Sequence, residues 1–161
     1  MELKLPLTIT SRIDITRVMR ELHNLDDFLV AAAVRTTGQP MQLPRLTRQL
    51  EDLARDNARN LLEEDQRKEL YAKLNTMMTK APQLHISFAA EPSAKAIQRI
   101  LMWLRESIHP QTLVQVGLQP TMAVGCAVRT PNLFFDLSMR QYLAQQEPYL
   151  AQLIKEAARA R

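Results

Sequence analysis

Apolar side chains recur every three or four residues through the first half of the chain, then every second residue after Ala81-Pro82. The first spacing is that of an amphipathic helix and the second that of a strand with one covered face. Ile15, Val18, Met19, Leu22, Leu25 and Leu29 form one helical stripe, with Arg17, Arg20, Glu21 and Asp26 on the other side. Ser11 or Asp14 supplies the N-terminal cap, and Thr36-Thr37-Gly38-Gln39-Pro40 breaks the helix. After Pro44, the positions Leu46, Leu50, Leu53, Ala54 and Leu61 predict a second helix. A third follows from about Glu63 through Leu70, Tyr71, Leu74, Met77 and Met78. Short connections favour antiparallel neighbours, so residues 1–81 are expected to form a small helical bundle with a thin core.

Beyond Pro82, the alternation of Leu84, Ile86 and Phe88 with His85 and Ser87 predicts a strand. Pro92-Ser93 leads into a helix whose inward positions are Ile97, Ile100, Leu101, Leu104 and Ile108, ending at Pro110. Three strands follow, at Leu113 to Gly117, Met122 to Arg129 and Asn132 to Phe135. A closing helix runs from about Ser138, with Pro148 removing one backbone donor. No charged side chain lies between Ser107 and Val128, which places these strands in the middle of a sheet. The expected fold class is α+β: a helical bundle over 1–81, then a strand-helix-three-strand-helix domain over 82–161.

Composition narrows the chemistry. The three glycines, Gly38, Gly117 and Gly125, are too dispersed for either glycine-rich phosphate loop. The longest apolar run, Phe28 to Val34, spans seven residues, whereas a bilayer core needs about 20. The opening Met-Glu-Leu-Lys-Leu-Pro lacks the basic flank and apolar stretch of a secretory signal, so a cytosolic location is expected. Cys126 is the one cysteine, which excludes an internal disulfide. Net charge is +4, with 13 basic and 12 acidic residues over 1–82 and 8 and 5 over 83–161. Interspersed charges of this kind mark solvated helix faces and form no dense cationic stripe for nucleic acid.

Candidate sites are few. His23, His85 and His109 are widely separated, without the spacing of a helical metal site, and no metal or cofactor is expected. Asp136 and Ser138 have the types found in nucleophilic catalysis, but a triad also needs a histidine. The preferred reading makes them a helix cap. Cys126 shares a face with Val124 and Val128, where a thiol acts as a small apolar group. Gly125, Ala123 and Ala127 form a strip of small residues on the opposite face, and the domain's own helix is the favoured occupant of that strip. Arg140, Lys155, Arg159 and Arg161 give the last helix a basic end that suits its dipole.

The run Val124-Gly125-Cys126-Ala127-Val128-Arg129, a turn, then Asp136-Leu137-Ser138 with Arg140 and Leu143, resembles the C-terminal domain of the delta subunit of F-type ATP synthases, the oligomycin-sensitivity-conferring protein. Cys126 stands where that family usually has a second glycine, and Leu137 replaces the glycine between Asp and Ser. The likeness covers about residues 82 to 145, and the three helices before it are fewer than the six of the family's N-terminal bundle. The resemblance implies a non-catalytic peripheral-stalk subunit that links the catalytic head to the membrane-bound part during proton-driven ATP synthesis. Its implied partners are other synthase subunits, namely the stalk helices and the catalytic head. The chain would reach the inner face of the cell membrane only through them. Gly125, Val128, Asp136, Ser138 and Leu143 carry the motif, and Ala123, Ala127, Arg129 and Arg140 are the expected interface. The alternative is a small basic α+β module binding nucleic acid on its sheet. For this the strands offer Phe88, Phe134, Phe135 and a single cation, Arg129. An enzyme is the weakest reading, since nothing assembles a nucleophile, a base and an oxyanion donor.

Overall fold

The computed structural model describes residues 3–34 and 43–159, apart from the side chains of 140, 141, 143 and 157–159. Thr36 to Pro40, the expected helix breaker, falls outside that range. Among the described residues the fold is α+β, with five helices and a four-stranded mixed sheet. Contacts divide the chain into two compact units interleaved in sequence, one of Met1–Gln83 with Ala94–Gln115, the other of Leu84–Ser93 with Val116–Arg161.

The first unit contains α1 (Arg12–Val34), α2 (Arg48–Asp56), α3 (Glu64–Lys80) and α4 (Ala94–Ser107). Helix α1 packs on α2 and α3. Their stripes meet in one core built on Ile15, Val18, Leu22, Leu50, Leu53 and Leu74, which Leu3 and Ile9 of the N-terminal stretch extend. Local chemistry sets the helix ends. Ser11 Oγ accepts from the Asp14 backbone N–H at 3.3 Å while Asp14 Oδ2 accepts from the Ser11 N–H at 3.0 Å, a reciprocal capping box that opens α1. Burial pushes the Asp14 carboxyl up, but hydrogen bonds from the side chains and backbone amides of Thr10 and Ser11 outweigh it and hold the group below its ordinary 3.8. Thr47 caps α2, and its own N–H and hydroxyl both donate to Glu21 of α1 at 2.5 Å.

A buried cation, Arg67, and a half-buried one, Arg105, knit this unit. Arg67 of α3 donates through Nε to Asp26 of α1 at 2.8 Å and through Nη1 to the Leu61 carbonyl at 3.0 Å. Arg105 of α4 donates to the carbonyls of Leu5 (2.9 Å), Pro6 (3.1 Å), Ile9 (2.7 Å) and Thr112 (3.3 Å), fastening the N-terminal stretch to the helix. Burial lowers its guanidinium from 12.5 to about 10, so it remains charged at neutral pH.

The sheet comprises β1 (Gln83–Phe88), β2 (Leu113–Leu118), β3 (Gly125–Arg129) and β4 (Phe134–Ser138), in the order β2-β1-β3-β4. Both the β1–β3 and β3–β4 pairs are antiparallel. Pro82 accepts from the Leu113 N–H and Phe88 from the Gln119 N–H, so β1 and β2 run the same way, joined through α4. Thr130 closes the β3–β4 turn, where its Oγ1 accepts from the Leu133 N–H at 2.8 Å.

Several expectations need correction. Helix α2 stops at Asp56, because Asn57 caps it with φ −106° and Ala58 turns left-handed at φ +50°, so Leu61 lies beyond it. Helix α4 ends at Ser107, leaving Ile108 59% exposed instead of inward. Strand β3 begins only at Gly125, and β4 starts two and ends three residues later than predicted. The uncharged stretch does not place every strand centrally, since β2 is an edge. Asp136 and Ser138 lie within β4, and α5 (Arg140–Arg159) starts after them. The closing helix α5 is present as the last element, and its described side chains are exposed except for half-buried Gln146.

Candidate functional site

The β3–β4 hairpin holds most of the residues singled out in the sequence, and Gly125 sets its geometry. Its φ of +106° is one that side-chain-bearing residues rarely adopt. A Cβ there would sit 2.6 Å from the Leu137 carbonyl oxygen and 2.7 Å from the Ser138 Cα. Only glycine lets the two strands approach this closely. At Gly125 the small-residue strip thus accommodates the backbone of the neighbouring strand.

Register assigns the remaining residues to faces, since side chains directly opposite one another point the same way. Gly125 pairs with Ser138, Ala127 with Asp136, and Arg129 with Phe134. On the other side of β3, Ala127 pairs with Ser87 and Arg129 with His85. These residues share one face, of which Ala127 is buried and Arg129 exposed. The opposite face carries Cys126 with Phe88 and Leu137, and Val128 with Ile86 and Phe135. Cys126 is half-buried in that apolar row. Gly117 of β2 leaves room for His85, whose Nε2 would lie 2.9 Å from a Cβ at that position.

Asp136 Oδ1 accepts from the Ser138 backbone N–H at 2.9 Å, a local turn that holds the end of β4. The Met139 N–H then donates to the Val124 carbonyl at 3.1 Å. Asp136 and Ser138 line a cleft of about 360 Å³ with Gln119, Thr121, Met122 and Ala123. Among the described residues, that lining contains one ionisable side chain, Asp136, and no histidine. The structure therefore brings Gly125, Ala127, Asp136 and Ser138 together and sets Val128 on the other face. Arg140 and Leu143 belong to α5, and their side chains lie outside the described residues. No group of three or more His, Cys, Asp or Glu that could hold a metal ion occurs among the described residues. None of the described helices is long and apolar enough to cross a membrane.

Sequence reasoning missed the most exposed feature of the hairpin. Phe134, Phe135 and Leu137 are 60%, 48% and 60% exposed, Phe135 and Leu137 on one face of β4 and Phe134 on the face it shares with Asp136 and Ser138. In helix α5, Tyr142, Tyr149, Leu150, Leu153 and Ile154 are also exposed. Their spacing puts them on one broad stripe, opposite Ala144, Ala151 and Lys155. The signal was present in the run Leu133-Phe134-Phe135, where Phe134 breaks the polar alternation that Asp136 and Ser138 keep.

Comparison with protein-family models gives no match for the chain, and no curated protein matches it significantly.

Proposed function

We propose that the chain is a delta-like subunit of the peripheral stalk of an F-type ATP synthase, a passive coupling piece that joins stalk and head by packing. One observation carries this reading. The two halves of the motif, Gly125 and Ser138, are thirteen residues apart in sequence yet direct register partners, and Gly125 has the backbone angle that only glycine adopts freely. A rotor turning inside the head drags the head round unless a static strut resists. Such a strut needs broad apolar contact and no bond-making centre. The exposed apolar stripe of α5 and the open β4 edge suit that task. In this reading the chain works at the cytoplasmic face of the membrane, held there by its partners.

Affinity purification of the tagged full chain from its native cell tests the proposal. Recovery of the synthase stalk and head subunits is expected. A partner set without any synthase subunit counts against it.

A further inference from the structure

We propose that Arg129 selects the partner of the β3–β4 hairpin: it takes a carboxylate of the bound subunit, and Phe134 packs against an apolar group beside that carboxylate. The inference rests on the stalk reading and names the chemistry by which the hairpin recognises that subunit.

Strand pairing builds the site. Arg129 is the last residue of β3, with His85 of β1 directly opposite it on one side and Phe134 of β4 on the other. Side chains opposed in this way share a face, with Cβ atoms about 4.5–5.5 Å apart. His85, Arg129 and Phe134 therefore form one row across three strands. The His85 ring leans over Gly117 of β2, where its Nε2 would lie 2.9 Å from a Cβ, and so leaves the space above Arg129 to a ligand.

Two observations single out this pair. Phe134 is 60% exposed on a face that otherwise carries Ser87, Ala127, Asp136 and Ser138, an apolar ring where strand alternation calls for a polar residue. Arg129 is exposed and is the one Lys or Arg in the four strands, and its guanidinium has no hydrogen-bond or ion-pair partner among the described residues. Asp136 is engaged at the end of β4, where its Oδ1 accepts from the Ser138 N–H. A guanidinium presents a planar fork of donors that matches a carboxylate, and arginine and large aromatics are enriched among the residues that dominate interface energetics. A partner that places an acid here satisfies Arg129, whereas one that places a cation is repelled. The apolar row on the opposite face makes no such distinction. Of the other residues the resemblance places at the interface, Ala127 is buried and Ala123 lines the cleft, and neither has a polar side chain.

The test uses the tagged full chain, purified from its native cell with the bound subunits identified by mass spectrometry. Arg129→Gln is expected to lower the recovery of the synthase subunits at least about tenfold, and Phe134→Ser to lower it as well. Both side chains are exposed, so both variants keep their fold, which circular dichroism checks. Arg129→Lys is expected to keep part of the recovery and to supply an amine at the site. A zero-length carbodiimide should then join position 129 to an Asp or Glu of a copurified synthase subunit, a cross-link absent from the unsubstituted chain. Recovery that Arg129→Gln leaves unchanged, or a cross-link from 129 only to Asp136 of the same chain, overturns the inference and leaves the stalk reading standing. If the unsubstituted chain recovers no synthase subunit, both fall.

Discussion

Replacing Gly125 with alanine should open the β3–β4 hairpin while leaving the helical unit intact. The added methyl meets two penalties. A φ of +106° lies outside the regions open to alanine, and such backbone strain is worth about 1–3 kcal/mol. The new Cβ also meets backbone atoms of Leu137 and Ser138 at 2.6 and 2.7 Å, which neither strand relieves without moving, and overpacking of this kind adds roughly 1–3 kcal/mol. Together they predict a loss of about 2–6 kcal/mol, which at 1.4 kcal/mol per decade lowers hydrogen-exchange protection in the hairpin about thirtyfold or more. Gly117→Ala is the control. Its φ is ordinary and its nearest neighbour is the tip of the His85 ring, which can rotate away. The expected change there is within about 1 kcal/mol, with the lower chain entropy of alanine acting in its favour. Amide exchange followed by mass spectrometry reads both variants, comparing peptides over Cys126 to Val128 with peptides over Ile15 to Leu25. Unchanged hairpin protection in Gly125→Ala, or equal losses in both variants, would refute the reasoning.

Other substitutions probe the helical unit. Asp26→Ala leaves Arg67 almost fully buried with only the Leu61 carbonyl as a described partner, so denaturant melts should show a loss of about 3–5 kcal/mol. Arg67→Met leaves Asp26 one-third exposed and able to take up water, and the same melts should show a smaller loss. Because hydrogen bonds hold the folded carboxyl of Asp14 below 3.8, its contribution to stability is complete above that value and disappears as pH falls through the lower folded value. Thermal melts between about pH 5 and pH 2 should therefore lose part of their acid limb in Asp14→Asn, and an unaltered limb speaks against the capping box. Arg105→Met removes four carbonyl contacts at once, and since charged hydrogen bonds are worth about 1.5–3 kcal/mol where buried, exchange at the Ile9 and Val114 amides should accelerate at least tenfold. Arg105→Lys should recover only part of that protection, because an ammonium has three donors and no planar fork.

Helix periodicity was legible because each stripe records its own buried face. Ile15, Val18 and Leu22 face the core as their spacing implies, as do Leu50, Leu53, Leu70, Leu74 and Met77. Ends were legible only where a side chain marks them. The Ser11 and Asp14 pair marks the start of α1, but nothing local announces that Ala58 turns left-handed and strands Leu61 outside α2. In the candidate site, Gly125 stood out as an anomaly within a strand. Which backbone presses on it was not readable, because the answer comes from Leu137 and Ser138, residues brought opposite by register. Asp136 and Ser138 are of types that favour helix starts, and only the register shows that both lie in β4, paired with Ala127 and Gly125.

What the chain determines locally is its sequence of elements: helices where apolar residues recur at three and four, strands where they alternate, a glycine where the backbone must turn positive. Only the assembled structure decides that β2 and β4 are the sheet edges, that Arg105 clamps a segment about a hundred residues upstream, and that β4 and α5 leave their apolar surface open. Periodicity is a property of neighbouring residues. Edge position, long-range hydrogen bonds and solvent exposure depend on contacts between residues far apart in the chain, and no short-range pattern encodes them.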